Sequence, residues 1–384
     1  MATLRTTGHK FLNLFVVPLW VGLLALPFTG IGSAIRVTAA AGIAMLLWRM
    51  LRTDVVSDVR ISVAEKISKA IAAFAPITRH VSSPLTYALI SVLLVVLPLF
   101  LNEYYQDIMT LTGMYVVLAL GLNIVVGQAG LLNLGYVAFY AIGAYTYAIL
   151  STTFGLSFWP GLIAGGSVAA VFAVLLGMPT LRLRGDYFAI VTLGLGEITR
   201  IVLNNWDSMT GGPNGISKIG RPVIAGYELH TTLDFYYLIL LLVIITIFAM
   251  QRLIASRIGR AWIAIREDEV AAEAMGVNTY RMKLLAFVLA SAWAGIAGVF
   301  FSAKMAFVSP ESFTFFESVL ILCMVVLGGM GSIPGIILGA LLLITLPEIF
   351  RDFQDYRMLA FGVALVLMMV FRPQGLLGTV KNTN

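Results

Sequence analysis

Three groups of residues in this 384-residue chain combine side-chain chemistry with suggestive spacing. The first is a pair of glycine-rich interruptions in otherwise apolar runs. Gly127-Gln128-Ala129-Gly130-Leu131-Leu132-Asn133-Leu134-Gly135 is one, and Gly328-Gly329-Met330-Gly331-Ser332-Ile333-Pro334-Gly335 is the other. Their candidate ligand-facing residues are Gly127, Gln128, Gly130, Asn133 and Gly135, with Gly328, Gly329 and Gly331. Glycine releases backbone N–H and C=O groups from a helix, and helix ends carry partial charges that suit the carboxylate and ammonium of a zwitterion. The same small residues would equally serve close helix packing. The second group is Glu197 and Arg200, three apart and so on one face of a helix, where each neutralises the other. The third is the charged stretch Gly259 to Gly276. There Glu267, Asp268 and Glu269 suit the positive end of a short helix, Ala271, Ala272 and Ala274 favour its continuation, and Gly276 is placed to end it. Such a helix on a loop is a plug for a soluble partner, although an ordinary solvated loop has the same composition.

Other chemistry is not encoded in recognisable form. No Ser/His/Asp, paired-carboxylate or metal-ligating constellation appears, so no catalytic or metal residues are assigned. Cys323 is the single cysteine, which forbids an intrachain disulfide, and His9, His80 and His230 are scattered. The phosphate-cradling Gly-x-x-x-x-Gly-Lys-Ser/Thr pattern is missing, so no ATP-binding P-loop is expected on this chain. Energy for any transport would come from an ion gradient or from a separate ATPase subunit.

The elements that must position these groups are membrane helices. Hydrophobic residues make up 60% of the chain and charged residues 11%, against about 25% charged in soluble domains. No Asp, Glu, Lys or Arg occurs from Ile108 to Leu181, a run of 74 residues, when one bilayer crossing takes about 20. Twelve apolar segments are expected near 11–30, 33–51, 85–101, 108–126, 135–153, 159–180, 187–204, 233–251, 283–306, 316–333, 335–350 and 356–371. Some are short enough to be half-helices or re-entrant, which gives nine to twelve crossings in an all-α polytopic bundle. Alternating the loops places 18 of the 25 Lys and Arg residues on the side holding both termini, 52–84, 181–186 and 252–283. The opposite side has seven of them and eleven of the nineteen acids. By the positive-inside rule the first side is cytoplasmic, and the net charge of +6 reflects these loops rather than nucleic-acid binding. Matched interruptions in the two halves of such a bundle point to a translocation site near the midplane.

Two further stretches are legible. Val56, Val59, Val63, Ile67, Ile71 and Phe74 recur at helical spacing, which predicts an amphipathic helix over 54–74 on the cytoplasmic surface. The longest loop of the opposite side, 206–234, opens with Thr210-Gly211-Gly212-Pro213-Asn214-Gly215, a series of tight turns. It is either a plain connection or a docking surface for an external partner.

Taken in order, these stretches resemble the permease subunit of high-affinity branched-chain amino acid ABC importers. The resemblance rests on Gly127 to Gly135, Leu181-Arg182-Leu183-Arg184-Gly185-Asp186-Tyr187-Phe188-Ala189-Ile190, and Thr210 to Gly215. It extends to Gly259 to Gly276, Val326 to Gly331, and Phe371-Arg372-Pro373-Gln374-Gly375-Leu376. It implies an inner-membrane subunit with no cofactor of its own. Its implied partners are a second homologous permease, two ATP-hydrolysing subunits below and a periplasmic substrate-binding protein above. It also implies that Arg266, Glu267, Asp268, Glu269, Ala272 and Gly276 form a coupling helix in the cleft of an ATPase subunit. This chain has Val270 between Glu269 and Ala271, where the family pattern has Glu-Ala-Ala. Residues 1–106 then form an N-terminal extension with two or three spans, 107–378 the permease core, with 252–283 as its coupling loop, and 379–384 a cytoplasmic tail. Leucine, isoleucine or valine is the implied substrate. Urea, an amide or another amino acid is the alternative within the family, and a stand-alone ion-coupled carrier or channel the alternative outside it.

Overall fold

The computed structural model describes residues 94–349 except 182, 184 and 225, together with 362, 375 and 376. The chain divides into two units, Met1–Tyr87 and Ala88–Asn384, and all of these residues belong to the second. The amphipathic segment 54–74, the apolar segments 11–30, 33–51 and 356–371, and the tail 379–384 therefore lie outside the described residues.

The described fold is a helical bundle. Its helices are α1 (Glu103–Asn123), continued by a π-helical turn at Ile124–Gln128, α2 (Tyr136–Phe154), α3 (Phe158–Thr180), α4 (Asp186–Asn205) and α5 (Thr232–Ala255). There follow α6 (Arg257–Glu267), α7 (Glu269–Ala274), α8 (Thr279–Met305), α9 (Phe315–Gly328) and α10 (Ile333–Ile349). Among the described residues six helices are long and apolar enough to cross a membrane, and α10 is a shorter apolar helix. With its π turn α1 covers 26 residues, about 39 Å at helical rise, enough to cross the hydrocarbon core. The seventh expected segment forms α4, which is amphipathic: Phe188, Ala189, Thr192, Gly196 and Leu203 are buried, while Tyr187, Ile190, Ile198 and Ile201 are exposed.

Small side chains set the packing. Along α3, Gly161, Gly165, Ala169, Ala173 and Gly177 recur every fourth residue, and all are buried. This stripe lets α3 approach α2 and α8 until backbones touch. A Cβ on Gly295 would overlap the Gly165 carbonyl and the Ala169 side chain, and one on Gly143 would overlap Gly295 itself. Apolar tails surround the bundle as well as fill it, so van der Waals fit between helices is the main packing force. The antiparallel pair α1 and α8 forms the central wall. Asp107 Oδ1 lies 2.7 Å from Lys304 Nζ at one end, and Gly121 packs on Trp293 and Ala290 further along.

The loop between α4 and α5 begins as its sequence predicts. Gly211, Gly212 and Gly215 all take positive φ, and Gly212–Asn214 is a 3-10 turn. Strand β1 (Ile216–Ser217) then pairs antiparallel with β4 (Phe307–Val308), while β2 (Val223–Ile224) and β3 (Tyr227–Glu228) form a small hairpin. After β4 the chain makes a 3-10 turn at Pro310–Ser312 and enters α9. Helices α9 and α10 close into an antiparallel hairpin, with Gly328 against Gly335 and Gly339 against Met324.

Gly295→Leu is expected to wedge α2, α3 and α8 apart at a cost of about 1–3 kcal/mol or more. Thermal denaturation in detergent checks this, and a melting temperature equal to the parent's would contradict the backbone-contact account.

Candidate functional site

The two glycine interruptions, about two hundred positions apart in sequence, meet in space. Residues Ile124–Gln128 widen the end of α1 into a π turn, with the Ala129 N–H donating to the Ile124 carbonyl at 3.1 Å and the Leu131 N–H to Val125 at 2.9 Å. One turn earlier Asn123 is buried, and its Oδ1 accepts from the Gly331 N–H at 2.9 Å. Gln128, also buried, donates from Nε2 to the Gly331 carbonyl at 3.4 Å. Gly331 has φ of 89°, where a side chain would be strained, so its N–H and C=O turn toward the two amides only because it is glycine. The second break is closed from its other side by the Leu376 N–H, which donates to the Leu327 carbonyl at 2.8 Å, while Gly375 packs on Gly329.

Arg266 completes the junction. Its Nη1 donates to the Gly127 carbonyl, which the widened turn leaves open, and its aliphatic stem lies across Gly130. The breaks thus sit at the end of the bundle that carries α6 and α7, rather than half-way along their helices. Asn133 and Gly135 lie on the return path to α2. Asn133 is buried, and its Oδ1 accepts from the Gly135 N–H at 3.0 Å; its Nδ2 has no hydrogen-bond partner among the described residues. Gly135 packs directly on the Thr192 carbonyl of α4, and Thr192 Oγ1 accepts from the Leu134 N–H at 3.1 Å.

The charged loop 252–283 is two helices, where the sequence suggests one. Ser256 caps α6, accepting from Gly259 N–H. Asp268 caps α7, accepting from the N–H groups of Val270 at 2.9 Å and Ala271 at 3.0 Å. Gly276, at φ of 85°, ends α7 as its position in the sequence suggests. The pair is fastened to the bundle at three points. Trp262 is fully buried and donates from Nε1 to the Met282 carbonyl at 2.7 Å; Glu269 Oε2 lies 2.6 Å from Lys283 Nζ; and Arg266 holds Gly127. Glu269 therefore faces α8, and Ala272 is buried. Glu267, Asp268, Val270, Ala271, Glu273, Ala274, Met275 and Gly276 remain exposed, Val270 at 70% and Met275 at 85%.

Glu197 and Arg200 do form an ion pair on α4, at 3.0 Å, but both side chains are about one-third exposed at 34% and 37%. They lie apart from the junction.

Sequence reasoning misses several participants. Asn123 is a polar group inside an apolar run, and that incongruity is the signal available, whereas Trp262 and Lys283 lie in the charged loop, where nothing local marks them as anchors. It also misses Glu317, in the first turn of α9, whose Oε2 accepts from Tyr115 Oη on α1 at 2.7 Å. This pair borders a cavity of about 400 Å³ at the far end of the bundle from α6 and α7.

Residues 104–371 match the family described as branched-chain amino acid transport system / permease component. The chain is 50% identical to the high-affinity branched-chain amino acid transport system permease protein LivM of Escherichia coli (strain K12), over 74% of this chain and 73% of that protein. It is 28% identical to the same organism's permease protein LivH, over 73% of this chain and 96% of LivH. A probable branched-chain amino acid transport permease protein LivM of Methanocaldococcus jannaschii is 24% identical over 69% of this chain. No solved structure matches the chain.

Removing the Glu269 carboxylate leaves the buried Lys283 ammonium unpaired, so Glu269→Ala is expected to destabilise by about 1–3 kcal/mol. Adding Lys283→Met should recover part of that loss. Melting curves of the two variants check the sign, and a double variant less stable than the single one would refute the pairing.

Proposed function

Because the chain belongs to the branched-chain amino acid transport system / permease component family, we propose that it is a transmembrane subunit of an ATP-driven importer of leucine, isoleucine and valine. The names of its LivM and LivH relatives support a complex of two related permeases, with this chain in the LivM-like role. ATP hydrolysis belongs to separate subunits docked at the α6–α7 end, and a periplasmic binding protein delivers substrate at the other. The positive-inside count orients the α6–α7 end toward the cytoplasm.

The observation that carries this reading is the way α6 and α7 are mounted. Trp262, Arg266 and Glu269 fix them to α8 and to the first break, while Val270 and Met275 project without burial. An apolar knob on a short helix rimmed by Glu267, Asp268 and Glu273 suits insertion into a groove on a soluble subunit. Because the mount is stiff, a displacement of that groove is passed to the Gly127 carbonyl by Arg266 and to α8 by Trp262. Through Asn123 and Gln128 it also reaches Gly331 and the α9–α10 hairpin. Alternating access follows as a rocking of the hairpin and α1 about their shared glycine junction. The Asn133 amide, whose Nδ2 has no partner among the described residues, and the Gln128 amide then line the inner part of the pathway.

Val270→Glu with Met275→Glu is expected to reduce co-purification of the ATPase subunits at least tenfold while the second permease stays bound. Intact ATPase recovery would overturn the docking assignment. In proteoliposomes this chain and its permease partner should move no leucine until ATPase subunits, binding protein and ATP are supplied. Flux driven by an ion gradient alone would instead identify a secondary carrier, and preferential uptake of urea would replace the substrate.

A further inference from the structure

We propose that the cavity bordered by Tyr115 and Glu317 is a substrate subsite, in which the Glu317 carboxylate receives the α-ammonium group of an aliphatic amino acid. The inference rests on the permease reading above and adds where, and through which charge, the substrate is held.

The cavity measures about 400 Å³, within the range of about 300–1,000 Å³ common for small-molecule sites. Its walls come from α1, α2, α8 and α9, with Phe307 of β4 and Ser312 of the following 3-10 turn. Leu111, Met114 and Tyr115 lie on one face of α1, Phe301 and Met305 on one face of α8, and Glu317 opens α9. Tyr140 closes it from α2, donating to Met114 Sδ at 3.5 Å and packing on Phe301 with ring centroids 5.5 Å apart. Apart from the Ser312 and tyrosine hydroxyls, the lining is thus apolar and aromatic with a single carboxylate, the composition that a branched hydrocarbon side chain next to a cation would need.

Glu317 is not accounted for by its neighbours. Among the described residues the one hydrogen bond to its carboxylate comes from Tyr115, received on Oε2, and no cation pairs with it. A half-buried carboxylate in an apolar helix is costly unless an ion or a set of donors offsets it. Asp107, on α1, shows the contrast, because Lys304 of α8 neutralises it. If the Tyr115–Glu317 bond were only a tether between α1 and α9, a neutral amide would serve it as well. An incoming ammonium supplies the missing charge through a charge-assisted hydrogen bond, and the faces of Tyr140 and Phe301 favour a cation near them. A second, smaller cavity lined by Asp107, Arg221, His230 and Lys304 shares Met305 with the first, so charges of both signs stand close to it.

The test uses the complete importer with its binding protein, reconstituted in proteoliposomes. Glu317→Gln keeps an oxygen that accepts from Tyr115 but loses the charge, and it should lower leucine uptake at least tenfold. Glu317→Asp restores the carboxylate and should keep more than one-third of wild-type uptake. Wild-type uptake in Glu317→Gln, or equal loss in both variants, would overturn the subsite and leave a structural tether. A wild-type complex that moves no leucine would instead overturn the permease reading. A second measurement does not depend on how these variants fold. In a Cys323→Ala background, Ser312→Cys places a thiol on the cavity wall. Leucine should slow its maleimide labelling at least threefold, and 4-methylpentanoate, which lacks the ammonium, should not. Equal protection by both, or none by leucine, would also overturn the proposal.

Discussion

A carbonyl released from a helix inside a membrane protein must find a donor within the protein, because lipid offers none. The organisation of the described bundle around its glycine-rich end follows from that requirement. The π turn at Ile124–Gln128 opens the ladder of α1, and the Gly127 carbonyl is satisfied by Arg266, a residue that the chain reaches only after three more apolar helices and α4. The Gly331 amide is satisfied by Asn123, and the Leu327 carbonyl by Leu376. Each interruption of a helix is thereby repaid by a contact of long sequence separation. The sum of these contacts ties α1, the α9–α10 hairpin and the charged loop into one junction.

The same logic divides the molecule into two ends of different character. Where the two glycine breaks meet, the polar groups are amides, carbonyls and one guanidinium, most of them mutually satisfied. At the far end they are acidic and basic side chains, with Asp107 matched by Lys304 and Glu317 bonded to the Tyr115 phenol. Between the two, the walls are packed by backbone contact. The glycine and alanine stripe of α3 against α8 leaves little freedom for helices to slide without wholesale separation. Motion of such a bundle is therefore expected as displacement of whole helices about the junction, not as gradual deformation along them.

Much of the fold was legible from charge and apolar run length alone. The segments at 108–126, 135–153, 159–180 and 233–251 correspond to α1, α2, α3 and α5 with ends shifted by a few residues. This succeeds because the bilayer imposes a length and forbids unpaired backbone, two constraints readable position by position. The α7 boundaries were legible for a different reason, since Asp268 and Gly276 are local signals acting within one turn. What local signals do not carry is partnership across the sequence. Glu269 has the composition of an exposed docking residue and is turned inward by Lys283. The two glycine breaks were recognisable separately, but their meeting, and the role of Arg266 in closing one of them, depends on how α5 and α8 return the chain to the same end. Asn123 and Glu317 were hidden because a single polar residue in an apolar run gives no indication of which distant group it faces.

The return of Leu376 to Leu327 has a consequence for biogenesis. Leu327 leaves the ribosome 49 residues ahead of the amide that closes its carbonyl, so the hairpin enters the bilayer with that end unsealed. Closure waits for a segment translated well after the hairpin itself. A chain halted before Leu376 would lack this donor and leave the Leu327 carbonyl open at the edge of the junction.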